Sequence, residues 1–276
     1  MCSQTCSVAC KPLVTTISAV RGNCQQLLRP MRRLEDTSAA RTGAPRSSPN
    51  AAMRDAVLDD FDASHLSPVA AALFSRAREY FADIIKPGGF VHRMHTGALD
   101  RNVYAQYLAI DRYFLFHFNR AYAVALMKAR TVDEQAVFHA LIGGVLDEMR
   151  LHVGACARWG VDADYYSTHP PEPAAKRYVE FLESLHAGSM VGLIAGMVPC
   201  MRLYSALGAG FSKIGLEACG PYKEWFDAYG SKEMNALASQ LESLLPTDVD
   251  DLTPEIIVNY CRAMELERDF FEAWVV

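Results

Sequence analysis

Helix start and stop signals follow one another along most of this chain, and this succession limits the fold more than any other feature. From Ser67 onward, Ser, Thr or Asp repeatedly stands just before an apolar segment, often with Pro beside it, as at a helix N-terminus. No segment shows the alternation of apolar and polar residues that is typical of a half-buried strand. The predicted helices span about residues 67–86, 100–130, 131–160, 171–187, 189–207, 221–229, 231–245 and 253–274. Because the chain has no internal repeat, they predict an all-α bundle with one domain rather than a solenoid.

The first 55 residues differ in composition from the rest. We predict a disordered leader over residues 1–55 and a helical domain over residues 56–276. Residues 1–50 hold seven basic residues against two acidic ones, with many Ser, Thr, Ala and Pro. A mitochondrial or plastid transit peptide has this Arg-rich, acid-poor composition, and so does an untargeted disordered tail. Both interpretations remain open.

Charge and cysteine usage restrict the partners and the compartment. A net charge of −5 and a pI near 5.9 give no basic excess for a phosphate backbone, so nucleic acid is not an expected partner. The eight cysteines form no C-x-x-C pair, and their scatter predicts reduced thiols in an intracellular protein, cytoplasmic or organellar. The most apolar stretch, Met190 to Met201, has 12 residues and contains Pro199. It is too short for a membrane span, and we expect no membrane partner.

Two carboxylates lie on apolar helical stripes, where an ion is costly unless it is paired. Glu267 recurs at three- and four-residue steps with core-facing residues of the last predicted helix, and Asp111 does so on the second. The stripes are Ile257, Tyr260, Met264, Glu267, Phe271 and Trp274 on one helix, and Tyr104, Tyr107, Asp111, Phe114 and Phe118 on the other. Either carboxylate alone is compatible with an internal salt bridge, whereas the two together favour a polar pocket.

Two further positions carry chemical groups on predicted helices. Pro199 removes an amide donor in mid-helix and predicts a bend, so that Cys200 faces a cavity with Tyr204 one turn later on the same face. The alternative is that Cys200 is a small buried hydrophobic residue. Glu148 and His152 share a helix face at a spacing that suits two metal ligands, but a di-iron site needs more ligands on other helices. We therefore expect an ion pair or hydrogen bond there, and no metal.

In their order along the chain, these residues resemble the TenA family of thiaminase II proteins, which have a heme-oxygenase-like helical fold. The resemblance covers about residues 67–274. Its segments are Tyr107-Leu-Ala-Ile-Asp111-Arg-Tyr-Phe114-Leu, Glu148-Met-Arg-Leu-His152, Tyr178-Val-Glu-Phe-Leu182, Met197-Val-Pro-Cys200-Met-Arg-Leu-Tyr204, Tyr222-Lys-Glu-Trp-Phe-Asp-Ala-Tyr229 and Glu267-Arg-Asp-Phe-Phe271. Each segment alone has low specificity, and the six in the family's order make a specific signal.

The resemblance implies a set of site residues and an activity. By that similarity, Cys200 matches the nucleophile of a Pro-Cys motif, Glu267 matches an acid/base carboxylate, and Asp111 matches the residue that binds the pyrimidine amino group. The positions at which the family lines its pocket with aromatic rings are Phe114, Tyr178, Tyr204 and Tyr229. The implied reaction is hydrolysis of 4-amino-5-aminomethyl-2-methylpyrimidine in thiamin salvage, with thiamin as a slower substrate. The family also implies no cofactor and a homotetramer.

Departures from the family and other proteins with its fold leave alternatives open. Phe114 replaces a tyrosine of some members, so one hydrogen bond to the ring is expected to be lost while stacking remains. Heme oxygenases, pyrroloquinoline quinone synthase-like proteins and di-iron oxygenases share the bundle, so the fold does not select the function. His92 and His95 are the candidates for a heme ligand. A non-catalytic pyrimidine-binding or regulatory protein is the other alternative.

Overall fold

A computed structural model of the protein describes residues 49–62 and 66–275. Within these residues the chain forms α-helices and short 3-10 helices without any strand, which confirms the predicted all-α class. Of the predicted leader, residues 1–48 lie outside the described residues. The α-helices are α1 (Pro49–Asp62), α2 (Pro68–Ile84), α3 (Phe90–His95), α4 (Arg101–Lys128), α5 (Val132–Trp159), α6 (Tyr165–Thr168), α7 (Pro173–Ser184), α8 (Met190–Ile214), α9 (Lys223–Tyr229), α10 (Lys232–Glu242) and α11 (Pro254–Glu272). The 3-10 helices are Leu185–Ala187, Gly220–Tyr222 and Val249–Asp251.

Helix boundaries follow from local capping chemistry. At the start of α5, the Thr131 hydroxyl accepts from the Glu134 amide and the Glu134 carboxylate accepts from the Thr131 amide, which completes the predicted capping box. The helix ends at Gly160, whose φ of 74° is a left-handed conformation that glycine adopts at little cost. Ser67 and Asp100 cap α2 and α4 with their side chains, as predicted. All of the predicted helices are therefore confirmed.

The structure also differs from the sequence patterns in several places. Helices α1, α3 and α6 are not predicted, and α8 runs to Ile214 rather than to about residue 207. Because α1 begins at Pro49, residues 49–55, which the prediction assigns to the leader, are helical. Val57, Leu58 and Phe61 of α1 are buried, and the helix packs against α8. Tertiary packing stabilises a short helix of this kind, and a local pattern does not show that packing.

The long helix α8 lies at the centre of the bundle. Every residue from Gly192 to Gly208 is buried, and α1, α9, α10 and α11 pack against this helix. Its length and apolar composition would allow it to cross a membrane, contrary to the expectation from the 12-residue run, but 78% of its most apolar window is buried inside the protein. Such burial is typical of the core helix of a bundle. Helix α8 therefore holds its side chains in fixed positions at the centre of the fold.

Two glycines bring the end of α9 against α8. A Cβ atom on Gly208 would lie 2.1 Å from the Gly230 amide nitrogen, so the two backbones touch and Gly208 has no space for a side chain. Tyr229 directly precedes Gly230, and Tyr204 lies one helical turn before Gly208. The ring centroids of Tyr204 and Tyr229 are 4.9 Å apart as a result. Close backbone packing thus sets the distance between two predicted pocket residues.

Candidate functional site

Cys200 and Glu267 meet in the interior although they belong to different helices. Cys200 lies on α8 and Glu267 on α11, and the thiol and the carboxyl group are close enough for each to shift the pKa of the other. The hydroxyl of Tyr178 on α7 donates a hydrogen bond to Glu267 Oε1 at 2.9 Å. Only 1% of Glu267 is exposed. The thiol, the carboxyl group and the phenol therefore form one connected polar group inside an apolar core.

Asp111 of α4 brings a second carboxyl group to this region, and one of its oxygens lacks a hydrogen bond. The residue is 3% exposed and lies close to the Tyr229 hydroxyl, which donates its hydrogen bond to Glu148. Its Oδ2 atom lies 3.5 Å from His152 Nε2 without a hydrogen bond between them. A buried acceptor without a partner costs free energy, and such atoms are rare in folded proteins. This cost is expected where a ligand supplies the missing donor.

Glu148 of α5 supplies the third carboxyl group. Its Oε1 atom accepts a hydrogen bond of 2.7 Å from the Tyr229 hydroxyl. In place of the predicted ion pair or hydrogen bond with His152, Nε2 and Oε1 lie 3.9 Å apart. Burial lowers the pKa of His152 to about 4, so the ring is neutral near pH 7 and its contacts with Glu148 and Asp111 are not ion pairs. Three acids therefore share the site with a neutral imidazole.

Burial determines the charge of these groups. It raises the pKa of Glu267 to about 8, although hydrogen bonds from Tyr178 and Cys200 partly oppose the shift. Burial, together with the charges of Glu148 and Glu267, raises the pKa of Asp111 well above its usual range. Burial also raises the pKa of Glu148 and that of the Cys200 thiol. Burial therefore disfavours the ionised forms of both Asp111 and Glu267, and for Asp111 the neighbouring carboxylates add to the effect.

Two spaces meet at these acids. The inner cavity has a volume of about 50 Å³ and is lined in part by Cys200 and Tyr204. The outer cleft has a volume of about 170 Å³ and lies between α4, α5 and α9. Asp111, Glu148 and Tyr229 line both spaces and form the boundary between them. The aromatic walls of the outer cleft are Tyr104, Trp159 and Trp225.

The structure brings four of the seven predicted site residues to the cavity, and the other three do not line it. Cys200, Asp111, Tyr204 and Tyr229 line the inner cavity, and Glu267 lies behind its wall beside Cys200. Phe114 and Tyr178 pack against each other, with ring centroids 4.7 Å apart, and line neither the inner cavity nor the outer cleft. In this arrangement the Tyr178 hydroxyl holds the Glu267 carboxyl group through its hydrogen bond. The catalytic and binding roles of the seven residues stay predictions.

Glu148 lines both spaces of the site, whereas the sequence predicted for it only an ion pair or hydrogen bond with His152. The pattern that reveals it is the one that singled out Asp111 and Glu267, because Glu148 belongs to a stripe of buried or cavity-facing residues on α5. That stripe is Phe138, Leu141, Val145, Glu148, His152 and Cys156.

The histidines considered as heme ligands lie on α3, away from both spaces. His95 Nε2 is 2.7 Å from the Gly215 carbonyl oxygen, and His92 is buried. Neither residue lines the inner cavity or the outer cleft. Within residues 49–62 and 66–275, no group of three or more His, Cys, Asp or Glu side chains is arranged to hold a metal ion.

The fold and the site define a class of protein: an all-α bundle with a buried cysteine and carboxyl group beside an aromatic-lined cavity. The chain belongs to the TENA/THI-4/PQQC family, whose model matches residues 75–275. This match confirms the resemblance that the six sequence segments indicate.

Relatives and solved structures agree with this membership. The bifunctional TH2 protein, mitochondrial, of Arabidopsis thaliana is 31% identical over 71% of this chain, which spans 35% of that protein's length. The aminopyrimidine aminohydrolase of Halalkalibacterium halodurans is 25% identical over 74% of this chain and 93% of its own length. The crystal structure of a TenA family transcription regulator from a Silicibacter species matches with a TM-score of 0.69 and 22% identity, over 76% of this chain and 97% of that one. The structural match confirms the heme-oxygenase-like bundle.

Proposed function

We propose that this protein is an aminopyrimidine aminohydrolase of the thiaminase II type, which hydrolyses 4-amino-5-aminomethyl-2-methylpyrimidine to the hydroxymethyl pyrimidine in thiamin salvage. The observation that carries the proposal is the proximity of the Cys200 thiol and the Glu267 carboxyl group, beside a cavity that Cys200 and Asp111 line. A nucleophile, an acid/base and an acceptor for an amino group are the groups that this reaction requires. The aminohydrolase among the relatives supports the same substrate class.

The first step uses Cys200 as the nucleophile and Glu267 as acid and then base. As the sulfur bonds to ring carbon 6, the electron pair of the carbon 6–N1 double bond moves to N1, which takes the proton of the Glu267 carboxyl group. The carboxylate that results takes the thiol proton. A carboxyl group with a pKa of about 8 suits both transfers near neutral pH. The result is an electron-rich ring bound to the protein through sulfur.

The second step exchanges the group on the exocyclic methylene. The electron-rich ring expels the amine, which leaves with the electron pair of the carbon–nitrogen bond, and water adds to the methylene carbon. The proton on N1 returns through Glu267 to the sulfur as the carbon–sulfur bond breaks. In total, the ammonium form of the substrate and one water give the hydroxymethyl pyrimidine and one ammonium ion. Cys200 and Glu267 end in their initial states.

Asp111 orients the ring in this proposal. Asp111 lines the cavity and its Oδ2 atom lacks a hydrogen-bond donor, so the residue is suited to accept from the exocyclic amino group of the pyrimidine. A bound donor also favours the ionised form of Asp111, which burial and the neighbouring carboxylates disfavour. The rings of Tyr204 and Tyr229 supply apolar surface for stacking.

Incubation of the purified protein with the aminomethyl pyrimidine tests the function. We expect ammonia and the hydroxymethyl pyrimidine in equal amounts. Thermal stabilisation by the compound without release of ammonia would identify a non-catalytic binding protein and refute the proposed activity. A Soret absorption band in the purified protein would favour a heme-binding role instead.

Assembly and location are proposed on family similarity. We expect a homotetramer, a small-molecule pyrimidine as the ligand, and neither nucleic acid nor a membrane as a partner. An intracellular location, cytoplasmic or organellar, agrees with the relative named mitochondrial. Sedimentation velocity measures the assembly state, and a fluorescent fusion to residues 1–55 tests whether the leader directs import.

A further inference from the structure

Among the three acids of the site, Glu148 combines contact with both spaces and exposure to the outer cleft. Its side chain is 30% exposed, whereas Asp111 and Glu267 are almost completely buried. Glu148 lines the outer cleft and also the inner cavity that Cys200 lines. The carboxylate of Glu148 therefore lies between the nucleophile and the solvent side of the site.

The acids of the site lack a positively charged partner. In the part of the chain that the structure describes, no Lys or Arg forms an ion pair with Asp111, Glu148 or Glu267. The basic side chain in contact with them, His152, is neutral because its pKa lies near 4. The Oδ2 atom of Asp111 is buried and makes no hydrogen bond. Buried acids in this state favour a ligand that brings a positive charge.

The walls of the outer cleft suit a small cation. Tyr104 and Trp225 contribute aromatic rings, and the faces of such rings attract cations, whereas the Trp159 ring already carries the Arg101 guanidinium at 4.5 Å from its centroid. Arg158 and Glu224, which also line the cleft, neutralise each other through two hydrogen bonds of 2.9 Å. The cleft therefore offers ring faces and the Glu148 carboxylate to a positively charged group, with its single arginine already paired.

The two volumes indicate how a substrate divides between these spaces. Because one water needs about 10–15 Å³ of such volume, the inner cavity of about 50 Å³ has room for a few waters and is small for a substituted six-membered ring. The hydrogen bond between Tyr229 and Glu148 forms the boundary between the inner cavity and the outer cleft. The ring has to break this bond, and its substituent then extends into the outer cleft. Glu148 is consequently the acid nearest to that substituent.

We propose that Glu148 binds the positively charged group on the exocyclic methylene of the substrate, and that this group leaves through the outer cleft. The proposal rests on the proposed function, because it concerns the leaving group of that reaction. With ring carbon 6 directed to Cys200, the ammonium group stays at the end of the site where its desolvation costs least. Specificity then follows from the charge of the leaving group, and a primary ammonium is preferred to a neutral group of similar size.

Kinetics of the Glu148→Gln variant with two substrates test this role. One is the aminomethyl pyrimidine, whose amine is protonated at neutral pH, and the other is its neutral methoxymethyl analogue. We expect the KM for the charged substrate to rise at least tenfold and the KM for the neutral one to change less than twofold. The control is Asp147→Asn, which removes the neighbouring negative charge at a position that is 74% exposed and outside the cleft. It should leave both KM values unchanged.

A rise in KM that is equal for both substrates would overturn the proposal, because a purely structural role affects both alike. If Glu148→Gln does not turn over, calorimetric titration of Cys200→Ala and of Cys200→Ala/Glu148→Gln with the two compounds takes the place of kinetics. A selective loss of affinity for the charged compound, of at least tenfold, supports the proposal, and an equal loss for both contradicts it. Absence of ammonia release by the wild-type protein would refute the proposed function. The titrations would still decide whether Glu148 binds the cation.

Discussion

Two buried polar clusters lie on helix α8, and they differ in how completely their groups are paired. Arg202 lies two residues after Cys200 and so about 200° around the helix axis from it. Its guanidinium donates to Glu242 Oε1 at 2.8 Å, to Asn235 Oδ1 at 2.7 Å and to Ser239 Oγ at 3.0 Å. A second bond to Glu242 completes a bidentate pair between α8 and α10.

The cluster around Cys200 has the opposite character. Its three carboxyl groups have raised pKa values because burial is not offset by a positive charge, and one Asp111 oxygen has no donor. Burial alone does not separate the two clusters. A buried charge whose hydrogen bonds are complete joins helices, whereas buried acids that lack a partner are available to a ligand.

The largest expected effect separates chemistry from stability. Cys200→Ala removes the proposed nucleophile, and we expect kcat for the aminomethyl pyrimidine to fall about 10³-fold or more. The melting temperature should change by less than about 5 °C, because only one small atom is lost. Cys219→Ala deletes another buried thiol, one outside the cavity, and should retain turnover. Normal turnover by Cys200→Ala would refute the assignment.

Removal of the paired charge of Arg202 should affect stability rather than chemistry. Arg202→Met leaves Glu242 buried without its partner and is expected to lower the free energy of unfolding by about 3–5 kcal/mol. Arg262→Met removes an arginine that is 41% exposed and paired with Glu265, and should cost less than about 1 kcal/mol. Urea denaturation measures both. Equal losses in the two variants would show that the completed hydrogen bonds of Arg202 do not stabilise the bundle.

Neutralising Glu267 should change how stability depends on pH. Folded Glu267 keeps its proton up to about pH 8, whereas in the unfolded chain it ionises near pH 4.5. Between these values the folded state binds more protons, so Glu267 makes the wild-type protein less stable as pH rises, by up to about 1.4 kcal/mol per pH unit. Glu267→Gln removes this component, and its stability relative to wild type should increase from pH 5 to pH 8. A difference in unfolding free energy that stays constant over this range would contradict the raised pKa.

The sequence predicted the helices and two of the three acids because both follow from local patterns. Ser67, Asp100 and the box of Thr131 and Glu134 act on amides within their own first turn, so the chain alone shows where these helices begin. The apolar stripes that Asp111 and Glu267 interrupt are easy to recognise in the sequence, because the surrounding positions on their helices are buried or polar as expected.

The same kind of pattern did not single out Glu148, because its helix, α5, carries apolar residues on more than one face. Leu146, Leu151 and Val153 of α5 are 40%, 74% and 48% exposed, so the buried stripe that contains Glu148 does not stand out. The raised pKa of Asp111 could not be predicted from the sequence, for a different reason. It depends on Glu148 and Glu267, which come from two other helices, and the distances between helices are set by tertiary packing.

The smallest effect is expected at Asp111, and it tests whether the unpaired acceptor meets the substrate. Asp111→Ala removes the oxygen without a donor, so KM for the aminomethyl pyrimidine should rise roughly 10–100-fold, the range expected for the loss of a hydrogen bond to a charged group. Turnover should fall as well, because the ring loses its orientation. Asp227→Ala removes an aspartate that is 53% exposed on α9 and paired with Lys223, and should leave KM unchanged. An unchanged KM for Asp111→Ala would place the free oxygen outside the binding site, and the contrast with the Arg202 cluster would then rest on Glu267 and Glu148.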